Sequence, residues 1–119
     1  MLTRMEEKVI PILHVKDAEV GVAWYQRLGF QQTSVHRFEP GFPAFVTIER
    51  GSMKLFLSEH KGDARPDTLI YLQVADVHPI AKEFAVRVEE APWGYEIELR
   101  DPDTNRLRIG MPKPASKSV

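Results

Sequence analysis

Residues 92–110 read PWGYEIELRDPDTNRLRIG, and this stretch decides the fold. Tyr95, Ile97 and Leu99 alternate with Glu96, Glu98 and Arg100, the period of a strand with one buried face. Leu107 and Ile109 alternate with Arg106 and Arg108 in the same way. Between the two runs lies Asp101-Pro102-Asp103-Thr104-Asn105. Proline fixes φ there, and Asp and Asn accept the geometry of a tight turn. The stretch is therefore an antiparallel hairpin of an α+β chain.

Working outward from the hairpin exposes a repeat. Ile12-Leu13-His14-Val15-Lys16-Asp17 matches Tyr71-Leu72-Gln73-Val74-Ala75-Asp76: a strand, then Val, one residue, and an Asp placed to cap a helix. Val9 to Val15 reads as the first strand, with Pro11 marking an edge or a change of pairing partner. After Asp17, Val20, Ala23, Trp24 and Leu28 fall at helical spacing, and Gly29 ends the helix. Phe30–Arg37, Phe45–Glu49 and Met53–Ser58 follow as strands, with an aromatic, proline-containing loop at 38–43 and a turn at 50–52. Residues 59–66 form a polar linker. The second unit has a strand at Leu69–Val74 and a helix carrying Val77, Ile80 and Phe84, with Pro79 in its first turn. A short strand at Val86–Val88 then precedes the closing hairpin. The expectation is two βαβββ modules, about 8–60 and 67–111, in one α+β domain over 1–112, with a flexible tail at 113–119.

Bulk properties narrow the function. The chain has 119 residues, one domain by size, and 43% hydrophobic residues, enough for a core. Sixteen basic against 17 acidic residues give a net charge of −1, which argues against nucleic acid or an anionic membrane as partner. With no cysteine, disulfides and thiolate chemistry are excluded, and a reducing cytoplasm is the expected setting. Neither a signal peptide nor a membrane span is apparent.

Strand alternation also sorts the side chains onto two faces. One is aliphatic, built from residues such as Leu13, Val46, Leu55, Leu72, Ile97 and Ile109, and faces the helices. The other mixes aromatic and charged groups: His14, Phe45, Phe56, Ser58, Tyr71, Glu96, Glu98 and Arg108, with Ile12, Thr47, Lys54 and Arg106. Phe45, Phe56 and Tyr71 would be costly on plain solvent surface, and Glu98 and Arg108 costly in a core. A concave, part-apolar small-molecule cleft reconciles the two sets.

The stretches IPILHVKD, WYQRLGF, MKLFLS, LIYLQVADV and PWGYEIELRDPDTNRL resemble, in order and over nearly the whole chain, the glyoxalase/bleomycin-resistance/extradiol-dioxygenase superfamily. The bleomycin-resistance branch is the most similar. The resemblance implies paired βαβββ modules and a homodimer with two clefts, with N-terminal arms exchanging at Pro11. Metalloenzymes of the superfamily carry four ligand positions, which fall here on Ile10, Phe56, Leu69 and Arg108. Two aliphatic groups, a phenyl ring and a guanidinium are not ligands for a divalent ion, so no metal or other cofactor is expected. The resemblance places ligand contacts at Trp93 of the PWG turn, at Phe45 with Phe38 or Phe42 as substitutes, and at Ser58 and Tyr71. Glu96 and Glu98 become candidates for a cationic ligand group, and Arg108 for an anionic one. His14 and His60 point toward the same cleft.

The first functional reading is metal-free sequestration of an aromatic, charged small molecule such as a bleomycin-type antibiotic. The alternative is a superfamily enzyme with a relocated site using His14, Glu59 or His60. A third is an interaction domain with a vestigial cleft.

Overall fold

Two four-stranded sheets assembled in the same order carry the chain in the computed structural model, which describes residues 6–114. The first module contains β1 (Ile12–His14), α1 (Ala18–Arg27), β2 (Gln31–His36), β3 (Phe45–Arg50) and β4 (Met53–Ser58). The second contains β5 (Leu69–Gln73), α2 (His78–Phe84), β6 (Glu89–Ala91), β7 (Gly94–Arg100) and β8 (Arg106–Pro112). The orders are β1-β4-β3-β2 and β5-β8-β7-β6, with the first pair parallel in each sheet and the other two pairs antiparallel. The architecture is α+β with two βαβββ modules, as the repeat implies. Residues 115–119 of the expected tail lie outside the described residues. Lys113 is not loose: its N–H donates to the Trp93 carbonyl and its ammonium pairs with Glu90 at 2.7 Å.

Several boundaries depart from the sequence reading. The first strand shrinks to Ile12–His14, because Pro11 cannot donate to a ladder. Its carbonyl still accepts from the Phe56 N–H. No strand forms at Val86–Val88. Ala85 adopts a left-handed backbone (φ 53°) that closes α2, and Val86 N–H folds back onto the Ala81 carbonyl, so β6 starts later. The helix α1 buries Ala18, Gly21, Val22 and Tyr25, whereas Val20 is exposed and Trp24 only partly covered. The stripe turns this way because Gly21 lets the helix approach the sheet. A Cβ there would stand 3.1 Å from Val15 Cγ1 and 3.5 Å from Leu57 Cδ1.

The aliphatic face is the core. Leu13, Val46, Ile48, Leu55, Leu57, Ile97, Leu107 and Ile109 are each at most 2% exposed. The opposite face of each sheet is left uncovered by the helices.

The DPDTN turn joins the modules. Asp101 Oδ2 accepts from the buried Tyr25 hydroxyl (2.7 Å) and from the Asn105 amide (2.9 Å). The same amide donates to the His14 carbonyl at 3.0 Å, while Asn105 Oδ1 accepts from Thr68 N–H at 3.2 Å. Asp103 receives Lys16 N–H at 2.9 Å. Asp101 and Asn105 are buried, yet no buried side-chain polar atom among the described residues lacks a partner. Burial, with Asp101 second, pushes the Tyr25 hydroxyl far above the ordinary phenol range.

Candidate functional site

Each module leaves one sheet face open. On the first sheet, Phe45 and Phe56 meet as a tilted pair with centroids 4.9 Å apart. They occupy adjacent strands, and Ile12 and His14 on β1 stand level with Phe56 and Ser58. At the end of this face a cavity of about 460 Å³ is lined by His14 and the linker residues 61–66. A second cavity, about 350 Å³, runs between the segment around Pro11, the start of β4 and Tyr71 of β5. It brings residues of both modules together.

On the second sheet the open face carries Tyr71, Arg106, Arg108, Glu96 and Glu98. Arg106 straddles the Glu98 carboxylate at 3.3 Å from each oxygen, and Arg108 lies 3.8 Å away. The Arg106 hydrogen bond, helped by the charges of Arg106, Arg108 and Arg100, holds Glu98 below the ordinary carboxylate value. Glu96 Oε2 accepts from the Trp93 indole at 2.6 Å and from the Tyr71 hydroxyl at 2.9 Å. Desolvation, followed by that bond to Glu96, raises the Tyr71 hydroxyl, and Arg108 partly opposes the rise. Trp93 is 63% exposed and Tyr71 49%. Tyr71 lies on the sheet face that the alternation singles out, and Trp93 on the turn that leads into β7.

The structure thus brings Trp93, Tyr71 and Glu96 into one cluster, Glu98 and Arg108 into another, and Phe45 beside Phe56. Phe38 and Phe42 lie on the exposed loop between β2 and β3, with Phe38 against His36 (centroids 5.0 Å). Ser58 is fully buried, its hydroxyl donating to Asp63 Oδ2 at 2.6 Å and accepting from His60 N–H, so it braces the linker. Glu59 is likewise engaged: its oxygens accept Ala18 N–H (2.7 Å) and Ala44 N–H (2.9 Å), capping α1 and tying down the β3 entry. His60, in this linker, is partly exposed.

At the superfamily's ligand positions, Ile10, Phe56, Leu69 and Arg108 offer no lone pair to a cation. Among the described residues, no three His, Asp or Glu side chains converge as a metal site. The donor set does not fit a divalent ion at these positions. No helix among the described residues is long and apolar enough to cross a membrane.

Sequence reasoning missed Gly110. It sits on β8 between Glu96 and Gln73, and a Cβ there would collide with the Tyr71 hydroxyl. The only signal was a glycine ending an otherwise regular strand alternation.

The family described as glyoxalase superfamily protein matches residues 3–114. The chain belongs to the glyoxalase superfamily. Its fold recurs in a glyoxylase/bleomycin resistance protein/dioxygenase domain from Frankia sp. EAN1pec, at TM-score 0.74 and 18% identity over 92% of this chain and 100% of that one. A bleomycin-binding protein complexed with bleomycin superposes at TM-score 0.66 and 20% identity, over 91% and 100% of the two chains. TnmS3, an antibiotic binding protein from Streptomyces sp. CB03234, does so at TM-score 0.66 and 17% identity, over 92% and 100%. At these identities the likeness is one of fold. No curated protein matches the chain. In this glyoxalase-superfamily chain, each of the two sheets leaves an open face that carries aromatic rings.

Proposed function

We propose that this glyoxalase-superfamily chain is a metal-free binding protein that sequesters a planar aromatic, charged small molecule, with bleomycin-type antibiotics as the first candidates. One observation carries this reading: Tyr71 and the Phe45–Phe56 pair stand on open sheet faces, with Trp93 on the turn beside Tyr71, where stacking, not ligation, is the available chemistry. Arg108 and Glu98 supply charge beside them. Likeness in fold to a protein solved with bleomycin and to an antibiotic binding protein agrees with it. The active unit in this proposal is a cytoplasmic homodimer of the single domain 1–112. Its two open faces would enclose the ligand, with arms pivoting at Pro11. The enzymatic alternative is weaker, because both Glu59 oxygens already serve backbone N–H groups.

The test is titration of metal-analysed protein with bleomycin, followed by calorimetry and tryptophan fluorescence. Binding of one drug per subunit without metal is expected. Trp93→Ala should lose about 1–3 kcal/mol, the scale of one aromatic stacking contact. Unchanged affinity in that variant would remove Trp93 from the site. Failure of bleomycin and of a panel of other planar antibiotics to bind would overturn sequestration.

A further inference from the structure

One carboxylate oxygen of the second sheet ties down two aromatic groups. Glu96 Oε2 accepts from Trp93 Nε1 at 2.6 Å and from Tyr71 Oη at 2.9 Å. The three residues come from the turn before β7, from β7 itself and from β5. Strand β8 lies between β5 and β7, so the bridge has to pass over it. It passes at Gly110. A Cβ there would collide with Tyr71 Oη, stand 3.0 Å from Tyr71 Cζ and 3.1 Å from Glu96 Cγ. The absence of a side chain at this position is what allows the link.

We infer that Glu96, working across the gap at Gly110, is a positioning residue that fixes the Trp93 indole as a rigid stacking wall, with Tyr71 as its second tie. The inference rests on the binding reading above and refines it. Trp93 is 63% exposed on a turn, where an untethered indole would samples several rotamers and lose that freedom on binding. An acceptor oxygen 2.6 Å from the indole nitrogen orients the ring before a ligand arrives. The indole N–H is already used, which leaves the ring faces as the contact surface. The ligand class that fits is a flat π-system recognised by stacking, without an acceptor aimed at the indole. The Glu96 carboxylate serves the protein's own donors, and cation capture is not its role.

The test compares Glu96→Gln with Glu96→Leu in the full chain. Gln keeps an acceptor oxygen and loses the charge; Leu loses both. In ¹H–¹⁵N spectra the Trp93 indole resonance is identified by its loss in Trp93→Phe. Glu96→Gln should keep the indole hydrogen-bonded and bind bleomycin within about threefold of wild type. Glu96→Leu should shift the resonance to that of a free indole and weaken binding about tenfold, the scale of one hydrogen bond. Tyr71→Phe should break the Tyr71 tie while leaving Glu96 in place, and Gly110→Ala, which crowds both Tyr71 and Glu96, should cost at least as much. Equal loss in Glu96→Gln and Glu96→Leu would mean that Glu96 receives a ligand cation, and would overturn the inference. An indole resonance indifferent to Glu96→Leu would also overturn it. Should wild type fail to bind bleomycin, the spectra still decide the tether, and only the choice of ligand falls.

Discussion

The Asn105 side chain ties the joining turn to two distant segments of the chain. It is fully buried and connects three segments: the Asp101 carboxylate, the His14 carbonyl and the Thr68 amide. Asn105→Ala should therefore destabilise the protein by about 3 kcal/mol, since it strands buried partners rather than merely deleting a bond. A urea midpoint shift at constant slope would report it. A loss below about 1 kcal/mol would show that water replaces the amide. The sequence shows Asp101 and Asn105 as turn residues, and local chemistry justifies that much. Their partners Tyr25 and His14 are 76 and 91 residues away, beyond any local pattern. The partner of Ser58 is hidden for a related reason. Strand parity gives its side, but only the fold of the linker shows that Asp63 returns to meet its hydroxyl.

At the level of elements, most of the architecture was legible. Alternation separates core from open face on β3, β4, β5, β7 and β8, because one-sided burial leaves a period of two in the sequence. The Asp17 cap is also legible, and its carboxylate accepts Glu19 N–H. The buried face of α1 was not, because apolarity alone favours Val20 and Trp24, whereas contact with the sheet selects Gly21 and an amphipathic Tyr25. Glu59 is a cap that arrives from outside the helix. It receives Ala18 N–H at the start of α1 and Ala44 N–H before β3, which joins the linker to two elements. Glu59→Ala should cost about 1–2 kcal/mol in thermal or chemical unfolding. Ligand affinity should be preserved, which calorimetry can check. Lost affinity at unchanged stability would instead assign Glu59 to the site.

Taken whole, the molecule is a slab, 61 × 45 × 22 Å, with a radius of gyration of 16.3 Å. A compact chain of this length would have about 13.5 Å. Apolar groups at Val9, Ile12, Leu69 and Tyr71 are exposed around the junction of the modules. A second copy covering these faces is the proposed homodimer. Sedimentation at equilibrium should give twice the 13.6 kDa chain mass. Pro11→Ala should lower the dimer's stability, since it relaxes the bend where the arm leaves β1. An unchanged dimer would remove Pro11 from that role, and a monomer at all concentrations would remove the dimer. The identity of the ligand was never legible at this scale, because open faces define a shape and a chemistry but not one molecule.

The joining turn also sets an order of events. The hydroxyl of Tyr25 and the carbonyl of His14 find their partners only in residues 101 and 105. On the ribosome, the first module emerges with its strands, its helix and much of its core, but with two polar groups still facing water. Those two contacts cannot form until residues 101–105 have been made. Long sequence separation slows such closure and ties the two modules into one cooperative step. Synthesis of residues 101–105 is thus the point from which both modules, and not just the second, can complete these polar contacts.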